Sequence, residues 1–69
     1  MNKKLKLLDV VALLKERSNL PVGQVGTIVE IFDDENFEIE FSNTKGETIA
    51  TIPVNSKDLL LLHYEPEAV

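Results

Sequence analysis

From residue 25 to residue 41 apolar and polar side chains alternate. Val25, Thr27, Val29 and Ile31 stand against Gly26, Ile28, Glu30 and Phe32. A polar break, Asp33-Asp34-Glu35-Asn36, follows, and then Phe37, Ile39 and Phe41 stand against Glu38, Glu40 and Ser42. Period-two patterning on both sides of a four-residue break predicts a β-hairpin. Its second strand has one apolar and one polar face, so it is expected to be half-buried with Glu38 and Glu40 in water.

Asn43-Thr44-Lys45-Gly46 supplies the next turn, with Gly46 free to take positive φ. Thr48, Ile49, Thr51 and Ile52 are strong strand formers, and Pro53, which has no N–H, marks a sheet edge or the strand end. Asn55-Ser56-Lys57-Asp58 reads as one helical turn before a last short strand, and Glu65-Pro66-Glu67 begins a frayed tail. The N-terminal stretch is ambiguous. Leu7, Val10, Val11 and Leu14 fit a helical spacing, whereas Leu8 to Leu13 with Val10-Val11 fits a buried strand. A strand is favoured, because it lets the chain ends meet and removes exposed edges. The prediction is an all-β domain of five strands, at about 8–14, 24–32, 37–42, 47–53 and 59–63, with a core of about residues 7–63 and a tail at 64–69. Val11, Leu13, Val25, Val29, Phe37, Ile39, Phe41, Ile52 and Leu60 are the expected core.

The 69 residues allow one domain, and a core of this size supplies only about 3–5 kcal/mol of net stability. There is no Cys and one His, which removes disulfides and argues against a zinc site. No apolar run reaches membrane-spanning length, and the basic start is not followed by a signal-peptide pattern, so a cytoplasmic protein retained whole is expected. The net charge of −5 is uneven. Residues 1–17 carry five bases and two acids, whereas residues 30–47 carry seven acids and one base.

The layout, with a long first loop and a helical turn before the last strand, resembles an SH3-like small barrel. Gly23-Gln24-Val25-Gly26-Thr27-Ile28-Val29-Glu30 is similar to the glycine-marked second strand of KOW-type and nitrile-hydratase-β-type barrels, where glycines permit a sharp entry and a bent strand. Leu8-Asp9-Val10-Val11-Ala12-Leu13-Leu14, that glycine-marked stretch, Phe37-Glu38-Ile39-Glu40-Phe41 and Leu59-Leu60 together resemble a bacterial family known only as a domain of unknown function. The resemblance spans roughly residues 7–63. It implies the barrel and no activity; genes of that family beside toxin-like genes imply an antitoxin or immunity role as a special case.

Catalytic chemistry finds little to stand on. His63 is a lone His at a strand end beside Tyr64, and Ser18, Ser42 and Ser56 stand in turns with no His near in sequence. Gly23-x-x-Gly26 lacks the glycine count and the Lys-Ser/Thr ending of a phosphate loop. The acidic cluster is the candidate site: Asp33, Asp34 and Glu35 at the hairpin tip, with Glu30, Glu38 and Glu40 on its outward face. It reads as a solvated face, as a docking surface for a basic protein or, least, as a cation site, for which the loop is too short and lacks the EF-hand glycine and distal Glu. No cofactor or metal is expected. Nucleic-acid binding, which a KOW-like barrel would suggest, is opposed by an acidic sheet face. Phe37 and Phe41 are assigned to the core, and Phe32 is left open. The expected function is a non-catalytic protein-binding module, an acidic partner of a basic protein. The alternatives are a KOW-like nucleic-acid or ribosome-associated module and an accessory domain of a larger enzyme. Patterning gives no oligomeric state.

Overall fold

The structure is a computed structural model and describes residues 4–63. Its strands are β1 (Val10–Leu13), β2 (Val25–Ile31), β3 (Asn36–Ser42), β4 (Thr48–Asn55) and β5 (Leu59–His63), with one 3₁₀ turn at Ser56–Asp58. All pairings are antiparallel, in a single open sheet of order β4-β3-β2-β1-β5. The N-terminal stretch is a strand and not a helix, as the sequence favoured. It is shorter than 8–14, because Leu8 takes a φ of 72° in a turn locked by Asp9. The Asp9 N–H donates to the Lys6 carbonyl, and the Lys6 N–H donates to Asp9 Oδ2 at 2.8 Å, so this buried carboxylate has a partner. The tail from Tyr64 lies outside the described residues, as does the side chain of His63.

Two expectations are corrected. The first concerns the edges: the chain ends do meet, since β1 pairs with β5, but β4 and β5 are the two ends of an open sheet and do not pair with each other, so two edges remain. The sheet nevertheless brings both ends to one core, since Val54 of β4 and Leu59 of β5 join Val11, Leu13, Leu20, Ile28, Phe37, Ile39 and Phe41 in one buried cluster.

The second correction concerns facing. Val25, Val29 and Leu60, expected inside, are 43%, 39% and 50% exposed, and Ile52 is half-buried against the core. The register of β2 on β3 sets Gly26 opposite Phe41 and Ile28 opposite Ile39, so Gly26 and Ile28 take the inner face. A bulge between Ile28 and Glu30 then shifts the register. The sequence reading fails here because β2 is apolar at neighbouring positions, Ile28-Val29 and Ile31-Phe32, and the alternation does not choose a face. In β5 a run of four leucines carries no pattern at all. Its facing is set by β1, which opposes Leu59 to Leu13 and Leu60 to Ala12.

Candidate functional site

The hairpin tip is built around Asp33. Phe32 N–H donates to the Asn36 carbonyl at 2.9 Å, closing the loop. Asp33 Oδ1 accepts the backbone N–H groups of Glu35 at 2.8 Å and Asn36 at 2.9 Å, and also the Asn36 side-chain amide at 3.0 Å. These bonds hold the Asp33 carboxyl below its usual pKa, chiefly through the Glu35 N–H, then through the Asn36 side chain, against a small opposing effect of desolvation. A depressed folded-state pKa means that the carboxylate's contribution is complete above the unfolded value and is lost as pH falls through the folded one. The tip should therefore loosen only in the acid range below the ordinary aspartate pKa. The expected result is that amide exchange at Glu35 and Asn36 accelerates on acidification relative to the rest of β3, and that Asp33→Ala shows the fast exchange already at neutral pH.

The remaining carboxylates are placed by the sheet. Glu30 lies directly opposite Glu38, and Glu38 lies opposite Pro53 on its other side. Glu40 stands between Thr27 and Thr51, and its Oε2 accepts the Thr48 hydroxyl at 2.7 Å. Because Phe37, Ile39 and Phe41 face the core, Glu38 and Glu40 share the outward face. They are half-buried rather than fully in water, crowded by these neighbours; Glu30, Asp34 and Glu35 are exposed. The only ion pair among the described residues is Lys15 Nζ to Asp58 Oδ1 at 4.0 Å, so none of the six hairpin carboxylates has a cation at ion-pair distance. Ile31 and Phe32 are exposed beside the tip, so the acidic hairpin end also presents apolar surface.

Two features escaped the sequence reading. A cleft of about 610 Å³ lies at the far end of the hairpin from the tip, lined among others by Val22, Gln24, Val25, Ser42, Asn43 and Ile49. Gln24 bridges its walls by donating from Nε2 to the Ser42 carbonyl at 2.8 Å. Only the neutrality of loop 18–23 could have hinted at it. Asp58 is buried, with Oδ1 accepting no hydrogen bond, a placement invisible in a sequence where it looks like the end of a helical turn. Among the described residues no three His, Asp or Glu side chains are grouped to hold a metal ion.

Fold and face together define a small all-β domain whose distinguishing surface is an acidic hairpin that forms no ion pair among the described residues. The chain belongs to a family described as a domain of unknown function, DUF4926, whose model matches residues 7–61. No match was found among curated proteins or among solved structures. No helix among the described residues is long and apolar enough to cross a membrane.

Proposed function

We propose that this chain is a non-catalytic, cytoplasmic protein-binding module of bacterial origin that docks a basic protein through the outward face and tip of its β2–β3 hairpin. The SH3-like reading of the fold belongs with this proposal, supported by five short antiparallel strands, a long first loop and a helical turn before the last strand. An antitoxin or immunity partner is the special case it admits. The observation that carries the reading is the pairing of Glu30 directly against Glu38 with Glu40 one step along, and no ion pair to any of them among the described residues. Like charges opposite each other destabilise a sheet by tenths of a kcal/mol, and a cationic partner relieves that repulsion. The same face repels phosphates, which disfavours the nucleic-acid alternative.

The test is affinity capture from the native cytoplasm, followed by association kinetics of the captured partner with a variant carrying Glu30→Gln, Asp34→Asn, Glu35→Gln and Glu38→Gln. Asp33 and Glu40 stay, because both are engaged in hydrogen bonds that hold the hairpin. Association should slow by roughly tenfold at low salt and far less at high salt, as expected of steering within a Debye length of about 8–10 Å. Equal rates at low salt would assign the hairpin to solvation alone and move the search to the first loop, Lys15 to Val22, to the cleft beside it, or to Tyr64.

A further inference from the structure

Phe32 is left at the surface, 51% exposed, in a chain whose other two phenylalanines are buried. Its N–H donates to the Asn36 carbonyl at 2.9 Å, so the residue continues β2 as the last rung of the hairpin. By alternation it shares the outward face with Glu30, two residues back and about 6.8 Å away at about 3.4 Å per residue. Glu38 lies directly across from Glu30, with Cβ atoms about 4.5–5.5 Å apart, and the exposed Pro53 stands on its far side. The ring and the paired carboxylates thus form one outward patch. Its frame is well held. The Asp33 turn fixes the tip, the Ser56 N–H donates to the Glu35 carbonyl at 2.7 Å, and Asn55 Nδ2 donates to Asn36 Oδ1 at 3.3 Å.

We propose that this patch binds arginine: it takes a guanidinium of the basic partner flat on the Phe32 ring, with the N–H groups donating to Glu30 and Glu38. The inference rests on the docking reading and names the side chain that the hairpin recognises. A guanidinium is planar and weakly hydrated, stacks on aromatic faces and presents five donors in a rigid fork. A ring whose centre lies within about 6 Å attracts the cation through its quadrupole, and carboxylates accept from the edges of the fork. An ammonium brings the same charge, but it is strongly hydrated and has no face to stack.

The surroundings select Glu30 and Glu38 from the six hairpin carboxylates. Asp33 is engaged by the turn and Glu40 by the Thr48 hydroxyl, whereas Glu30 and Glu38 form no ion pair among the described residues. Facing each other, they repel, and a cation held between them relieves that repulsion. A metal ion is the poorer occupant. Calcium takes about six to eight oxygen ligands, and among the described residues no three His, Asp or Glu side chains are grouped to supply them. Charge therefore calls for a cation, and the Phe32 ring beside the carboxylates decides between the two cationic side chains of a partner in favour of arginine.

The probes are a blocked tetra-arginine peptide and its tetralysine counterpart, titrated into the full chain at low salt and followed by amide NMR. The arginine peptide should bind about two- to fivefold more tightly, the ratio expected of an exposed cation–π contact, with the largest shifts at Glu30, Phe32 and Glu38. Phe32→Leu keeps an apolar side chain and should bring the arginine peptide down to the affinity of the lysine peptide. Glu30→Gln with Glu38→Gln should weaken both peptides. Equal affinity of the two peptides for the unaltered chain, an arginine preference that survives Phe32→Leu, or shifts confined to Asp34 and Glu35 overturns the proposal. Equal affinities that still fall with the two Gln substitutions overturn the arginine site and leave the docking reading standing. Failure of both peptides to shift the hairpin overturns the two together. Should Phe32→Leu fail to fold, cross-relaxation between guanidinium protons and the Phe32 ring in the unaltered chain decides, its presence for the site and its absence against it.

Discussion

Phe41→Ala is expected to leave the domain largely unfolded in the absence of denaturant. Phe41 has no exposed surface, and it packs in the cluster that joins all five strands. Truncating a buried Phe costs about 3–5 kcal/mol, from lost transfer free energy and from the cavity that remains. A domain of this size holds only about 3–5 kcal/mol in total, so the loss is comparable to the whole. Ile39→Val, at an equally buried site, should keep the fold and cost about 0.5–1.5 kcal/mol, which gives a measurable step on the same scale. Val25→Ala, on the opposite face, should fall within about 0.5 kcal/mol of the unaltered chain. Urea melts of the three variants decide the matter. A Phe41→Ala domain melting beside its parent, or a Val25→Ala loss as large as that of Ile39→Val, would reverse the inward and outward faces described above.

How much of this was readable follows from how uniquely each strand is patterned. β3 alternates without exception, and its inward residues, Phe37, Ile39 and Phe41, stand where the pattern assigns them. Its polar set, Glu38 and Glu40, was legible for the same reason, and so was the Asp33 turn that joins it to β2. β2 and β5 were not. Each has apolar residues at consecutive positions, so either face satisfies the hydrophobic effect, and the choice is made by what lies across the strand. For β2 that neighbour is β3, whose Ile39 and Phe41 fill the space beside Gly26. For β5 it is β1, where Ala12 and Leu13 alternate in size and facing. The cleft and the buried Asp58 depend on contacts between segments distant in sequence, which no local pattern encodes. The opposition of Glu30 to Glu38 is of the same kind, because the bulge that creates it leaves no mark in the alternation.

Gly26 shows why the second strand needs its glycine, and Gly26→Ala should already destabilise the domain. A Cβ at this position would lie 2.7 Å from Ile39 Cγ2, 2.7 Å from Phe41 Cδ1 and 2.9 Å from the Glu40 carbonyl oxygen. The first two could give only by repacking the core, and the third is backbone in a central strand paired on both sides. Two effects compete. Replacing Gly by Ala where the backbone permits it stabilises by about 0.4–1 kcal/mol through the unfolded state, and the φ of Gly26 is not in the left-handed region. Overpacking costs typically about 1–3 kcal/mol and more where backbone must move, so the collision wins. Gly26→Val adds two methyl groups to the same space and should approach complete unfolding. Gly23 provides the contrast: nothing lies within 4 Å of its would-be Cβ, but its φ is +92°, so its substitution is penalised by conformation and not by packing. Chemical denaturation of Gly26→Ala in the unaltered background and in Phe41→Leu separates the causes. If crowding against the ring is responsible, the substitution costs less beside Phe41→Leu than alone, a coupling that conformational strain would not produce. A Gly26→Ala domain as stable as its parent would mean that β2 and β3 do not approach as closely as the structure describes.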